Sequence, residues 1–242
     1  MRYGIIGDIH GADLFRIDKE FERLEVDFGI CVGDFESVKT VRQMIEIQRA
    51  DRIPWFVVPG NHEHMSAADF IAASLPRQRY SYDPDNWLHP SNIDARNYVE
   101  RMLSEETVRI KRGVSARQIV IDIDGLGKTI IMHGAYSGIS WGDPPDLWNR
   151  LQNESNYAEN FEIMERNGHK VMIRGHDHPQ MYGHGNAKKA TLVLGNPGQS
   201  FDLKPEFMHT INPGALCDGL FATLVDRAGQ PPKLPRLSYH EL

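Results

Sequence analysis

The sequence is poor in cysteine and has no excess of basic side chains. Two cysteines in 242 residues, Cys31 and Cys217, are too few for a disulfide framework. The 33 acidic side chains outnumber the 27 basic ones, and the net charge of −6 argues against binding of long nucleic acid through a general positive field. No apolar run approaches the roughly 20 residues of a membrane helix, and the N-terminus lacks a signal-peptide pattern. We therefore expect a cytoplasmic globular protein with no membrane partner.

Apolar runs and helical periodicity alternate along the first quarter of the chain. Residues 3–6, 28–32 and 54–58 form apolar runs that predict buried strands. Residues 12–24 and 38–50 carry apolar side chains at helical spacing. This alternation is typical of an α/β sheet with parallel strands, in which the carboxyl ends of the strands face the ligand crevice. The polar residues that follow each run should therefore converge on one rim.

The remainder of the chain is richer in predicted strands. They cover 107–110, 118–123, 129–132, 171–173, 191–194, 210–211 and 220–225, and helices are predicted over 66–75, 93–103, 147–151 and 157–166. The tail 231–242 contains three prolines and is expected to be irregular or an edge segment. We expect two packed sheets with helices outside, in a single domain over 1–242. A specificity insertion is expected around 76–112, because loops at a rigid rim carry recognition.

Five short polar segments follow the strand-like runs. They are Gly7-Asp8-Ile9-His10-Gly11, Gly33-Asp34, Gly60-Asn61-His62-Glu63, His133-Gly134 and Gly175-His176-Asp177-His178. Mixed imidazole and carboxylate ligands suit manganese, iron, zinc, cobalt or nickel, whereas calcium and magnesium prefer oxygen ligands. The ligands are too many for one tetrahedral ion, but two ions about 3.5–4 Å apart with a shared carboxylate would use them. Such a pair can clamp a phosphoryl group and activate water for in-line attack.

The order of these segments resembles the calcineurin-like metallophosphoesterase superfamily, and Asn212-Pro213-Gly214 resembles a segment of its bacterial and archaeal phosphodiesterase branch. The resemblance implies a four-layer α/β/β/α sandwich of two mixed sheets flanked by helices. It also implies two sets of metal ligands that share Asp34 as the bridge. Asp8, His10, Asp34 and His178 would hold one metal, and Asp34, Asn61, His133 and His176 the other. Manganese is the metal that we expect, with iron, zinc, cobalt or nickel as alternatives.

His62 is the residue to which the resemblance assigns catalysis. It would face the substrate, stabilise the transition state and protonate the leaving oxygen, a role that suits a histidine next to a ligand in sequence but displaced from the metals. The protein phosphatases of the superfamily carry an aspartate and a phosphate-binding arginine after the bridging aspartate, where this chain has Ser37 and Val38. The partner that orients His62 is therefore open, with Glu36 as a candidate.

Several further residues have both a functional and a packing interpretation. Arg79, in a stretch of arginines and aromatics, and His184 are candidates for substrate binding. Arg150 follows the ligand His133 and either walls the site or packs. Asp177 shapes its loop or supports a neighbouring ligand. Glu63 is expected to be a structural hydrogen-bond acceptor.

These observations predict a dinuclear-metal-dependent phosphoesterase that hydrolyses a phosphomonoester or phosphodiester by in-line attack of metal-bound hydroxide. The alternatives are a nuclease or cyclic-nucleotide phosphodiesterase and, in another class, a catalytically silent interaction scaffold of the same fold. A scaffold would have lost ligands or the catalytic histidine, whereas all seven ligand positions and His62 are present. The expected partner is a small phosphorylated substrate or a nucleotide, and the sequence carries no signal for an oligomeric state.

Overall fold

Two mixed sheets and three helices make up most of the computed structural model, which describes residues 1–63, 93–99, 101, 118–138, 149–228 and 234–242. The helices are α1 (Leu14–Arg23), α2 (Val38–Arg49) and α3 (Glu154–Asn167), and residues 93–99 are also helical. The strands are β1 (Arg2–Ile6), β2 (Phe28–Cys31), β3 (Trp55–Val57), β4 (Gln118–Ile123), β5 (Gly127–Met132), β6 (Val171–Ile173), β7 (Gln180–Asn186), β8 (Lys189–Leu194), β9 (Ser200–Asp202), β10 (Met208–Pro213), β11 (Leu220–Ala228) and β12 (Leu234–Glu241).

Each sheet contains six of these described strands. In the first sheet the order is β3-β2-β1-β11-β12-β9, with β1, β2 and β3 parallel and the others antiparallel to their neighbours. In the second sheet the order is β4-β5-β6-β10-β7-β8, with β5, β6 and β10 parallel. Both ends of the chain therefore contribute to the first sheet.

Neighbouring residues of the central strands face different cores. Ile5 lies in the apolar cluster between the two sheets, and Ile6 lies in the cluster beneath α1 and α2. In the second sheet Ile131 faces the first sheet, whereas Ile130 packs with Phe161 of α3. Side chains alternate across a strand, so each sheet buries both faces. The expected four-layer arrangement of helices, two sheets and helices is confirmed.

Polar caps explain where the helices begin. Asp13 accepts a hydrogen bond from the Phe15 N–H at the start of α1, and Ser37 accepts one from the Thr40 N–H at the start of α2. Asn153 caps the start of α3. Gly168, which follows the last residue of α3, has a left-handed backbone conformation that ends the helix. No described helix is long and apolar enough to cross a membrane.

Within the described residues the structure differs from the secondary-structure predictions at the tail, at residues 149–151 and at two strands. The tail forms β12, an interior strand between β11 and β9, because Leu237 and Tyr239 enter the core between the sheets. Its Pro235 lies beside a register shift in β11, where no ladder hydrogen bond is required of it. Residues 149–151 are not helical. Strands β7 and β9 were not predicted. In β7, two glycines weaken the strand pattern.

Two predicted elements, the helix over 66–75 and the strand over 107–110, lie outside the described residues. So does most of the expected insertion around 76–112, of which the structure describes only 93–99 and 101.

Candidate metal centre

Polar side chains from both sheets meet at one rim. Asp8, Asp34 and Asn61 follow β1, β2 and β3, whereas His133 and His176 follow β5 and β6. The Nε2 of His133 lies 3.2 Å from Oδ2 of Asp34, so the second sheet brings its ligand candidates against those of the first. The convergence predicted from the strand ends is confirmed.

The backbone is left-handed at most of the predicted ligands. Positive φ angles occur at Asp8 (47°), His10 (39°), Asp34 (60°), His176 (75°) and His178 (64°), which are five of the seven. Residues other than glycine rarely adopt this region, and each such residue costs about 1–3 kcal/mol unless its surroundings fix it. The loops thus turn sharply at the ligands and direct their side chains to the rim.

Two glycines let the loops approach one another closely. A Cβ on Gly60 would lie 2.1 Å from Oδ1 of Asp34, and a Cβ on Gly175 would lie 2.9 Å from Oδ2 of Asp8. Both distances are too short for a real Cβ atom. A side chain at either position would therefore displace a carboxylate of the site.

The first cluster, called here the Asp8 group, consists of Asp8, His10 and His178. One ligand atom from each of the three lies within 4.8 Å of the others, and Nε2 of His178 is 3.9 Å from Oδ1 of Asp8. The main-chain N–H of His176 donates to both carboxylate oxygens of Asp8 at 2.9 Å, which fixes that carboxylate.

The second cluster, called here the Asn61 group, consists of Asn61, His133 and His176. Nε2 of His133 is 2.9 Å from Oδ1 of Asn61, and His133 and His176 each offer a nitrogen within 4.8 Å of a carboxylate oxygen of Asp34. The Nδ1 of His133 contacts the carbonyl of Val32, so a proton on Nδ1 leaves Nε2 free for a cation.

Asp34 lies between the two groups. Its Oδ2 is 3.7 Å from Nε2 of His10 in the Asp8 group and 3.2 Å from Nε2 of His133 in the Asn61 group. The carboxylate of Glu63 accepts the main-chain N–H of Asp34 at 2.9 Å and that of Gly60 at 2.7 Å, which joins the loops after β2 and β3. This contact agrees with the structural role predicted for Glu63.

Burial and neighbouring charges shift the pKa values of the clustered carboxylates and histidines. Burial raises the pKa of Asp8 to about 6. Burial acts in the same direction on Asp34, but the positive charges of His133 and His62 outweigh it and hold the pKa of Asp34 below its usual range. Burial alone would lower the pKa of His133, yet the carboxylates of Asp34 and Asp8 raise it to about 9. A cation that binds His133 must therefore displace a proton near neutral pH.

The donor set fits divalent transition-metal ions. The two groups and Asp34 offer four imidazoles, two carboxylates and one amide oxygen, the mixture that suits manganese, iron or zinc. The Nε2 of His10 is buried and has no hydrogen-bond partner among the described residues. Because an unsatisfied buried nitrogen is costly, a cation beside it would complete the site.

A cavity of about 420 Å³ opens over both groups. Its described wall consists of Asp34, Asn61, His62, Arg150, Gln152, His176 and His178. The main-chain N–H of His62 donates to Oδ1 of Asp34 at 3.0 Å, and its ring meets that of His10 edge-on with centroids 4.8 Å apart. A ring nitrogen of His62 also lies within 4.8 Å of ligand atoms of His10 and Asp34.

Other predicted residues lie elsewhere. His184 of β7 lies opposite His209, near the start of β10. Asn212 lies near the other end of β10 and is hydrogen-bonded to the loop of His176. Strand β7 carries His184 away from the rim, and His184 is not among the described residues that line the cavity, so its role in substrate binding stays a prediction. Arg79 lies outside the described residues. The carboxylate of Glu36, the candidate partner of His62, lies against His10.

The sequence analysis missed Gln152 and left Arg150 undecided. Both line the cavity, and Arg150 is the only arginine or lysine among the described lining residues. No local pattern marks either residue, since they lie in an irregular stretch before α3.

The chain is similar to known proteins in sequence and in structure. A family model described as calcineurin-like phosphoesterase matches residues 1–180. A metallophosphoesterase from Sphaerobacter thermophilus is similar in structure, with a TM-score of 0.54 and 19% identity over 100% of this chain and 88% of that chain. An archaeal phosphodiesterase has a TM-score of 0.41 and 15% identity over 99% of each chain. Vps29 from Entamoeba histolytica, solved with Zn²⁺, has a TM-score of 0.42 and 14% identity over 100% of this chain and 98% of that one. No curated protein matches the chain.

Proposed function

Because this chain belongs to the calcineurin-like phosphoesterase family, we propose that it is a dinuclear-metal phosphoesterase for small phosphomonoesters or phosphodiesters. The observation that carries the proposal is the position of Asp34, 3.7 Å from a nitrogen of the Asp8 group and 3.2 Å from one of the Asn61 group. Asp34 and the Asp8 group hold one cation, and Asp34 and the Asn61 group hold the other. Manganese is the proposed metal, since it accepts mixed imidazole and carboxylate donors.

A cation pair at this site supplies Lewis acidity towards the phosphoryl oxygens and lowers the pKa of the attacking water. The chain itself supplies the proton for the leaving group. His62 lines the cavity beside both groups, with its main chain fixed on Asp34. It donates a proton to the leaving alkoxide oxygen. No serine is required as a nucleophile, because water is the attacking group.

The metal count and the reaction are tested together. Metal-stripped protein is titrated with Mn²⁺ by calorimetry, bound metal is measured by mass spectrometry, and hydrolysis of p-nitrophenyl phosphate and bis(p-nitrophenyl) phosphate is followed. We expect two cations per chain and turnover of at least one ester. Asp34→Asn should lose metal and more activity than the roughly 10–100-fold that loss of a supporting contact costs. Asp202→Asn, which changes a half-exposed ion pair with Arg236, is the matched control.

Each outcome bears on a different part of the proposal. A single cation per chain would contradict the shared role of Asp34. Full metal occupancy without turnover of either ester, of a cyclic nucleotide or of single-stranded DNA would favour the interaction scaffold. Turnover of the nucleotide or the DNA alone would favour the other enzyme alternatives.

A further inference from the structure

An arginine with no exposed surface lies beneath the cavity. Arg174 directly follows β6 and is the largest fully buried side chain among the described residues. Its guanidinium pairs with the carboxylate of Asp177, its Nε donates to the carbonyl of Gly134 at 2.9 Å and its Nη2 donates to the carbonyl of Asn149 at 3.2 Å. A buried charge is tolerated only when it is paired and hydrogen-bonded, as it is here. Arg174 thus connects three loops of the rim.

This ion pair holds the main chain on both sides of Arg150. Arg174 binds the carbonyl of residue 149, and Oδ2 of Asp177 accepts the main-chain N–H of Leu151 at 3.3 Å. A third contact comes from Gly138, whose φ is +147° and where a Cβ would lie 2.2 Å from the carbonyl oxygen of Arg150. The backbone at Arg150 is therefore fixed, although the stretch is irregular.

Arg150 lines the cavity over the candidate metal centre. No described carboxylate pairs with its guanidinium, and it is the only cation of fixed charge among the described lining residues. Its charge adds to the effects of burial and of His133 in lowering the pKa of His176, which agrees with a position near the Asn61 group. A guanidinium that has no carboxylate partner among the described residues, beside a candidate metal centre, is suited to an oxyanion.

We propose that Arg150 binds the non-bridging oxygens of the substrate's phosphoryl group, and that Arg174 and Asp177 are positioning residues that present it. The inference rests on the proposed function and adds a substrate-binding residue to it. A planar guanidinium can donate two parallel hydrogen bonds to two phosphoryl oxygens, which an ammonium group cannot. Arg150 also supplies a fixed positive charge on the cavity wall.

Inorganic phosphate is the probe for the first test. Its dissociation constant is measured by calorimetry on Mn²⁺-loaded protein, alongside KM and kcat for p-nitrophenyl phosphate. Arg150→Gln should raise the phosphate dissociation constant and KM by about 10–100-fold, the effect of a lost hydrogen bond to a charged group. Arg150→Lys should fall between the wild type and Arg150→Gln. Metal content and melting temperature should stay at the wild-type values.

A double-mutant cycle tests the positioning role. Arg174→Lys and Asp177→Asn should each weaken phosphate binding in the wild-type background and have no further effect in the Arg150→Gln background. A merely structural role would give equal effects in both backgrounds and would overturn this part of the proposal. Arg236→Lys, in the surface pair with Asp202, is the matched control. If Arg174→Lys fails to fold, the Asp177→Asn cycle decides.

The failure of this inference can be told apart from the failure of the proposed function. Unchanged phosphate affinity in Arg150→Gln, with ester hydrolysis by the wild type, would overturn the inference alone. A wild type that hydrolyses no ester but binds phosphate through Arg150 would overturn the proposed function and support the phosphate site.

Discussion

The Nδ1 of His10 lies 3.0 Å from Oε2 of Glu36. This carboxylate fixes the ring so that Nε2 points to Asp34. Partners of this kind typically contribute about 10–100-fold to metal affinity. We therefore expect Glu36→Gln to weaken Mn²⁺ binding by about that factor. A competition titration with a fluorescent chelator measures the change. Glu162→Gln, which alters an exposed residue of α3, is the control. Equal affinities in wild type and Glu36→Gln would show that His10 is oriented by other contacts.

Substitution of His62 tests whether this residue is a proton donor or a metal ligand. His62→Ala should retain both cations and lose roughly 10²–10⁴ in kcat. The loss should be greater for an alkyl phosphate than for the p-nitrophenyl ester, because the alkoxide has the greater need of a proton. Steady-state kinetics with both esters and metal analysis provide the measurement. Loss of one equivalent of metal would instead assign His62 to the ligands, a role that its distance to His10 and Asp34 also permits.

Glu63 should be important for stability as well as for the site. Its carboxylate accepts main-chain N–H groups of Asp34 and Phe35 at 2.9 and 2.7 Å, and that of Gly60 at 2.7 Å. In Glu63→Gln the amide group faces these donors and leaves at least one unsatisfied, so we expect the free energy of unfolding to fall by about 1–3 kcal/mol. Urea denaturation of metal-free protein measures this. Glu165→Gln on α3 should change stability little, and an equally stable Glu63→Gln would disprove the role.

Metal affinity should depend on pH through His133. Its pKa of about 9 in the metal-free site means that the ring carries a proton at pH 7, which a cation must displace. Affinity should therefore rise with pH by up to tenfold per unit until about pH 9, and Asp8, with a pKa of about 6, adds a second proton below that value. Calorimetry in buffers of different ionisation enthalpy reports the protons released. Binding heats that do not vary with the buffer would contradict the prediction.

Local patterns account for what the sequence predicted of the fold. The prediction for β6 agrees with the structure residue for residue, and that for α2 agrees to within one residue at its C-terminal end, because periodicity and capping residues are short-range signals. Strand β12 escaped prediction because Pro231, Pro232 and Pro235 resemble an irregular tail, whereas burial of Leu237 and Tyr239 between the sheets decides its state. Tertiary packing of this kind is not visible in a short window of sequence.

The candidate site also contains some residues that local sequence patterns predict and others that they do not. Six of the seven predicted ligand residues lie beside a glycine near the end of an apolar run, as Asp34 beside Gly33 illustrates, and this local signal makes them predictable. The role of Arg150 is not predictable from the sequence, because the position of this residue depends on Arg174 and on loops that are distant in sequence. Glu36 likewise contacts a residue 26 positions away, so only the folded chain shows which histidine it supports.

The left-handed backbone at His178 has an energetic consequence for the whole chain. Its φ of +64° is accessible to glycine without strain but costs a residue with a Cβ about 1 kcal/mol, so His178→Gly should be more stable than His178→Ala in thermal unfolding. Equal melting temperatures would contradict this. The same backbone strain is present at His10 and His176. Glycine would relieve the strain at His178, so a histidine there indicates that stability has been given up in favour of the candidate metal centre.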